Sequence, residues 1–351
     1  MTGSVKTFFL ILFGAAALAG CRLVDEDLFD CETEYTIDYE LRMVTNMSTE
    51  ISTQLDLAAD IQIAQALRTY LGGVFTDYAH DVDLGFYDVV RDEAVGDSLR
   101  LFHETHVMDA SQSSYTLFIP IRDYMHLAVA NIEDNGQVLL ENGGTCHAAR
   151  LNQPVRDTVE SHRTGIFTAR LPMYIIPGVS QTFDVDLYMA NCASAIVIDT
   201  VGSHVRDLQV YATGFATGFN ICDSTYLYPY TPVVRADRVS GTEAGTVCFA
   251  TVTFPSRDPE RVETKVVIET DDPFIAEGGY GTLWRYAVYS TLEDGTVTET
   301  ILGVSTPLRA GQLKIITAKA LDNGAVQPGD PTVGVSVTLD WEPGTHHEIE
   351  L

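Results

Sequence analysis

The chain has 351 residues, and 49 Asp and Glu against 21 Lys and Arg give it a formal net charge of −28 at pH 7. So acidic a chain repels the phosphate backbone of nucleic acids, and we expect no nucleic-acid partner. Apolar residues make up 46% of the sequence and no low-complexity tract interrupts it, so we expect a folded chain.

A short apolar run opens the sequence. Lys6 precedes the apolar segment 8–18, which is too short to span a bilayer as a helix, and two small residues come just before Cys21. This order matches the bacterial lipobox, in which a signal peptidase cuts before a cysteine that carries lipid. We predict that residues 1–20 are a lipoprotein signal peptide and that Cys21 is the lipid attachment site. An uncut N-terminal anchor helix is the alternative.

An acidic tether follows at 21–31, with the sequence DEDLFD at 25–30. A run of like charges is normally solvated, so this segment is predicted to hold the folded body off the bilayer. It also resembles the acidic export signal that follows the acylated cysteine in Bacteroidales lipoproteins. We therefore expect a lipid-anchored protein of the outer membrane, exposed at the cell surface.

Strand patterns dominate the rest of the chain. In the first of them, apolar and polar residues alternate from Tyr35 to Met43, which places one face on a core and the other in water. Similar runs recur at 115–121, 125–132, 183–189, 195–201, 246–254, 284–290, 312–318 and 333–341. The sequence thus predicts a mainly β protein.

One helix is predicted within this β pattern, at 56–71. Asp56 stands near its start and Gly72-Gly73 is the expected C-terminal stop. The apolar stripe that should cover one sheet of the first domain consists of Leu57, Ile61, Ala64, Leu67 and Leu71.

Two domains are expected from the length. The polar segment at 158–165 is followed by a new strand from Ile166, so we place the boundary near residue 163. This predicts an N-terminal β-sandwich domain at 32–163 and a C-terminal β-sandwich domain at 164–351.

The cysteines favour a structural role. With Cys21 acylated, five remain, and an odd number means that at least one thiol stays free or pairs with another chain. No Cys-x-x-Cys spacing occurs, so we expect no zinc site. We predict buried cysteines with one or two disulfides, and the sequence leaves the pairing open among Cys31, Cys146, Cys192, Cys222 and Cys248.

Two segments resemble metal sites without meeting their requirements. In 103–106 (HETH) the histidines are three apart, whereas a metalloprotease helix needs them four apart. Asp77, Asp81 and Asp83 suggest a calcium loop but lack the terminal Glu of an EF-hand, so a solvated loop is preferred to an adventitious calcium site. No nucleophile elbow, P-loop or Rossmann glycine pattern occurs. We predict no catalytic residue, no metal and no cofactor, although paired carboxylates of a glycosidase remain an alternative.

Several segments in a fixed order resemble the FimB-type fimbrial anchor family of Bacteroidales, across nearly the whole mature chain. They are LAGC at 18–21, DLFDCE at 27–32, IDYELRM at 37–43, the segments 75–88 and 119–131, and GVSVTLDWEPG at 334–344. The resemblance implies two tandem transthyretin-like Greek-key β-sandwich domains, a lipid-anchored outer-membrane protein and a non-enzymatic role in holding or ending a donor-strand pilus. The helix at 56–71 is a departure from the family and leaves room for a different partner.

The resemblance implies a fimbrial subunit protein as partner, in addition to the membrane that Cys21 contacts. Pilus subunits join by strand addition, which requires an alternating ridge of side chains. Near the C-terminus that candidate partner strand consists of Val333, Val335, Val337, Leu339 and Trp341. The competing interpretation, which we favour, is that this ridge is the last core strand of the second domain.

The second hypothesis for function is a surface glycan-binding lipoprotein of a polysaccharide-uptake system. Such a protein needs exposed aromatic platforms. The candidates are Trp284, Trp341, Tyr226, Tyr228 and Tyr230.

Overall fold

The protein is described from a computed structural model. The structure describes residues 34–44, 61–75, 81–90, 98–107, 114–133, 135–259, 282–329 and 333–338. Strands dominate this part of the chain, and the mainly β fold class is confirmed. No helix within these ranges is long and apolar enough to cross a membrane.

The described elements are one α-helix, a 3₁₀ helix and twenty-two strands. The helices are α1 (Ile61–Val74) and the 3₁₀ helix (Cys146–Ala148). The strands are β1 (Glu34–Val44), β2 (Val82–Val90), β3 (Ser98–Val107), β4 (Ser114–Pro120), β5 (Asp123–Ala130), β6 (Leu139–Glu141), β7 (Arg150–Asn152), β8 (Thr158–Glu160), β9 (Phe167–Tyr174), β10 (Thr182–Met189), β11 (Cys192–Asp199), β12 (Val205–Thr213), β13 (Gly218–Asn220), β14 (Thr225–Leu227), β15 (Val233–Arg235), β16 (Asp237–Val239), β17 (Thr246–Thr253), β18 (Trp284–Leu292), β19 (Val297–Val304), β20 (Leu313–Ala320), β21 (Val326–Pro328) and β22 (Val333–Thr338).

The strands form four sheets. Sheet 1 has the order β3-β2-β5-β9-β10-β1-β4, and sheet 2 the order β14-β13-β7-β6. Sheet 3 has the order β16-β17-β11-β20-β21, and sheet 4 the order β22-β19-β18-β12-β15-β8.

Strand β1 lies inside sheet 1, parallel to β10 and antiparallel to β4. Its alternating pattern is confirmed, because Ile37 and Tyr39 are buried while Asp38 and Glu40 are exposed. Burying every second side chain fixes the register, since a shift by one residue would turn the apolar side chains to water.

Helix α1 packs on the buried face of sheet 1. Its inner side includes Leu67 and Leu71, which are fully buried, as the predicted stripe requires. The predicted stop is wrong, because Gly72 and Gly73 lie within a helix that ends at Val74. Burial of the last turn outweighs the modest helical cost of glycine there, about 1 kcal/mol per residue. Ile61 was also expected on the stripe and is 82% exposed, while 56–60 lie outside the described residues.

Sheets 1 and 2 form the first sandwich, and sheets 3 and 4 form the second. Sheet 3 also packs against the first sandwich. Sheet 2 covers the opposite face of sheet 1 beside β2 and β5, where Leu127 packs with Leu151 and Phe219. Sheets 3 and 4 enclose the second core, in which Trp284, Tyr286 and Ile196 are fully buried. The other face of β11 packs toward sheet 1 and α1, so this strand is buried on both faces.

The hydrogen-bonded sheets cross residue 163 in both directions. β9 and β10 follow that residue yet belong to sheet 1, and β13 and β14 complete sheet 2, whereas β8 precedes it and belongs to sheet 4. The segment 158–165 is polar in sequence, yet it contains β8 and the buried residues Ser161 and His162, so its polarity does not mark a domain boundary. The domain division at 163 stays a prediction, and the first sheet runs on to Met189.

Candidate functional site

The predicted partner strand forms one edge of sheet 4. β22 pairs antiparallel with β19 from Val304↔Val333 to Glu299↔Thr338. In the described part of the chain β19 is its one hydrogen-bonded neighbour. An edge strand presents a row of backbone groups on its outer side, which is the chemistry that strand addition uses.

The inner anchor of β22 is Val333, which is 6% exposed and packs into the second core. Val335 and Val337 lie in the ladder opposite Leu302 and Thr300. The structure thus brings these three predicted residues onto one edge strand. Leu339, Trp341 and the lipid attachment residue Cys21 lie outside the described residues.

The proposed aromatic platform does not form at Trp284 or Tyr228. Trp284 is fully buried, its ring packs edge-on against Tyr286 at 5.5 Å, and its indole N–H donates to the carbonyl of Thr306 at 3.0 Å. Tyr228 is buried as well, and burial raises the pKa of its hydroxyl. That hydroxyl donates to the carbonyl of Ser256 at 2.9 Å. These two rings are core residues.

The other tyrosines of that group are half-buried. Tyr226 packs on Phe219 with ring centroids 4.7 Å apart, and its hydroxyl donates to the carbonyl of Ala190 at 2.9 Å. It therefore ties sheet 2 to the end of β10. The hydroxyl oxygen of Tyr230 is itself buried, which also speaks against a sugar platform.

An open cleft lies where the chain passes from β15 in sheet 4 to β16 in sheet 3. Its volume is about 420 Å³, and Asp207, Tyr211 and Arg235 contribute to its lining. Carboxylate, phenol and guanidinium groups can all hydrogen bond to hydroxyls. Sequence patterns gave no hint of this cleft, because it joins residues from separate strands.

The two metal-like segments take structural roles. Residues 103–106 lie in β3, so the helix that a metalloprotease motif needs is absent. Asp81 is 2% exposed, and its Oδ2 accepts the backbone N–H groups of Ile132 and Glu133, each at 3.1 Å. It fixes the turn after β5, while Asp77 lies outside the described residues. No group of three metal-ligating side chains occurs in the ranges that the structure describes.

Two buried histidines bond residues that are distant in the chain, and sequence patterns did not reveal them. His126 on β5 bonds Tyr39 through Nε2 and the carbonyl of Gly85 through Nδ1, at 2.9 Å for the second. His162 contacts the side-chain amides of Gln153 and Asn191 at 2.6 and 2.7 Å. Burial lowers the pKa of His126 to about 4 and that of His162 to about 3, so both rings are neutral at pH 7.

Four of the five remaining cysteines lie in the described residues, and they are buried with one disulfide, as predicted. Cys146 in the 3₁₀ helix forms a disulfide with Cys222, which follows β13. The bond lies in the core between sheets 1 and 2. Cys192 and Cys248 are free and buried, and burial raises the pKa of each thiol to about 12. Cys31 lies outside the described residues.

The geometry defines a double β-sandwich protein with an edge strand near its C-terminus. Its fold is similar to the crystal structure of a "putative adhesin" from Bacteroides thetaiotaomicron, with a TM-score of 0.50, 10% identity, and coverage of 88% of this chain and 99% of that one. The predicted fold is thereby confirmed.

Similar structures also include the fimbrial anchor protein Mfa2 from Porphyromonas gingivalis, with a TM-score of 0.43, 8% identity, and coverage of 87% of this chain and 99% of that one. The tip fimbrial protein Mfa3 from the same organism has a TM-score of 0.39 and 11% identity, with coverage of 88% and 100%. No protein-family model and no curated protein sequence matches the chain.

Proposed function

We propose that this chain is a non-enzymatic outer-membrane lipoprotein that anchors or terminates a donor-strand fimbria and so serves cell adhesion. The observation that carries the proposal is the position of β22 at an edge of sheet 4. The partner is a fimbrial subunit that adds a strand there. The fold shared with a "putative adhesin" supports a role in adhesion.

Strand addition at this edge is physically favourable for two reasons. The backbone of β22 already has sheet geometry because six residue pairs hold it to β19. An added strand therefore gains main-chain hydrogen bonds without first ordering its acceptor. In addition, the inner anchor Val333 keeps the edge strand attached to the core while the outer side binds.

The lipid at Cys21 is the membrane end of the proposed assembly. Pulling force on an attached fibre would pass through the sandwiches and the acidic tether to the acyl chains. We expect Cys21→Ala to release the protein from the outer membrane with its thermal unfolding midpoint unchanged, measured by membrane fractionation and circular dichroism. Retention of this variant in the membrane fraction would refute the lipid anchor.

Proline substitutions at neighbouring positions test the edge itself. Successive N–H groups of a strand point to opposite sides, so of Val335→Pro and Ser336→Pro one removes a ladder bond to β19 and the other removes an outward donor. The variant that loses a ladder bond to β19 should have a lower unfolding midpoint. The variant that loses an outward donor should keep its stability and should not bind the fimbrial subunit in a pull-down. Subunit binding that survives in both variants would exclude this edge as the partner surface.

Glycan binding is the second candidate function, and the cleft beside β15 is the observation that favours it. Its polar lining suits a saccharide, with Tyr211 as the ring that a sugar face could pack on. We expect Tyr211→Ala to abolish any glycan-array signal, with the exposed Tyr188→Ala as control. An array without signal for the parent protein removes this candidate.

A further inference from the structure

Exposed apolar side chains concentrate at one end of sheet 1. Of twelve large exposed apolar residues in the described part of the chain, five lie there. These five, which we call the apolar band, are Phe118 (64% exposed), Ile121 (38%), Tyr174 (60%), Ile176 (51%) and Val179 (53%). Scattered single residues need no explanation, but such a concentration marks an interaction surface.

The strand registers place the band on neighbouring strands. Phe118 on β4 pairs with β1 near the start of that strand, and the start of β10 pairs with β1 two residues further along. The side chain of Gln181 ties the turn between β9 and β10, because it bonds the carbonyl of Tyr174 at 3.0 Å and the N–H of Ile176 at 2.6 Å. With strands about 4.8 Å apart, the band extends about 14 Å from β9 to β4.

The band ends abruptly along β1. Further along β1, the exposed positions are charged, with Asp38, Glu40 and Arg42. Along β1 the apolar surface is thus confined to the sheet end, and the exposed Tyr188 on β10 stands apart from the band. A narrow apolar end below a charged face matches the headgroup region of a bilayer, where Tyr and Phe side chains are favoured.

The chain path indicates which surface meets this end. Glu34 begins β1 at the band, and it follows Cys21 by thirteen residues, which reach at most about 45 Å when extended. The opposite end of sheet 1, where β10 ends at Met189, continues into β11 and the second sandwich. The chain segment from Cys21 and the second sandwich therefore connect to opposite ends of the first sheet.

We infer that the apolar band lies on the bilayer surface and orients the body, with the second sandwich directed away from the membrane. The inference rests on the lipid anchor of the proposed function. The anchor keeps the band close to lipid, so even weak insertion of a few side chains is effective. Without the band, the tether would leave the body free to rotate.

A matched pair of tryptophan reporters tests the orientation. Tyr174→Trp lies in the band, whereas Tyr188→Trp lies on β10 at the other end of the sheet with nearly the same exposure, 57% against 60%. Both are made in the lipidated protein and reconstituted into phosphatidylcholine vesicles with brominated acyl chains. Emission is corrected for the parent protein, which contains Trp284 and Trp341.

We expect brominated lipid to quench about half of the added emission at residue 174 and none at residue 188, as for a side chain that enters the interface. Phe118→Ser combined with Ile176→Ser should reduce the quenching at residue 174 while the protein still sediments with vesicles. Sedimentation with no quenching at 174, or with equal quenching at both positions, overturns the inference alone. A protein that stays in the supernatant refutes the lipid anchor as well.

Discussion

Acid should destabilise this protein through its two buried histidines. His126 and His162 are held neutral in the folded state, because burial lowers their pKa values to about 4 and about 3. In the unfolded chain each ring titrates near its ordinary value of about 6.5. Below that pH the unfolded state binds more protons, so stability is complete above pH 6.5 and falls as the pH drops toward the folded values.

The size of the effect follows from these pKa values. At pH 5 each unfolded ring is almost fully protonated while each folded ring stays mostly neutral, which costs about 2 kcal/mol per histidine relative to pH 7.5. The two rings together should lower the free energy of unfolding by about 4 kcal/mol, a large part of the stability of an ordinary domain.

Urea denaturation at pH 7.5 and pH 5.0 measures the difference. His126→Gln and His162→Gln should each cut the loss of unfolding free energy between the two pH values by about half, because glutamine does not titrate. His204→Gln is the control for the substitution itself, since the His204 side chain is 68% exposed. If the double variant lost as much stability as the parent protein, the histidines would not be the acid-sensitive groups.

Three further predictions concern stability in urea denaturation. Trp284→Ala should cost about 4 kcal/mol because it opens a cavity in the second core, and a loss below about 1 kcal/mol would contradict the described burial. The Cys146–Cys222 disulfide closes a long loop, so removing it in a Cys222→Ser variant should lower the free energy of unfolding by about 4 kcal/mol. Reductant should then destabilise the parent protein but not the variant. Gly218→Ala should cost about 1–3 kcal/mol, because its Cβ would stand 2.9 Å from a backbone oxygen of β7. Gly144→Ala, with open space around it, should be neutral, and equal effects of the two would contradict the packing.

Local patterns were sufficient for most strands and for the helix core. The predicted runs at 115–121, 183–189 and 246–254 correspond to β4, β10 and β17 within one residue at each end. Alternation predicts such strands because a half-buried sheet demands it at every second position. The predicted helix end at Gly72 was wrong, because burial of Leu71 and Val74 stabilises the helix beyond the two glycines.

The aromatic candidates show what side-chain identity leaves open. Trp284 and Tyr228 have the chemistry of a sugar platform, and the structure buries both. A tyrosine or tryptophan suits either a core or a binding face, and only its position in the sheet decides between them. The cleft near Tyr211 was missed for the converse reason, because its lining comes from strands far apart in sequence.

The sequence alone determined the strand-rich class and the acidic character, because short-range periodicity and composition encode them, and the resemblance of residues 18–21 to a lipobox supplied the expectation of a lipid at Cys21. It also indicated the ridge at 333–341 as a strand. Only the tertiary structure decided that β22 is an edge, that β9 and β10 join the first sheet, that Cys146 pairs with Cys222, and that the apolar band gathers at the end where β1 begins. Each of these depends on contacts between residues distant in the chain, which strand order fixes and local pattern does not.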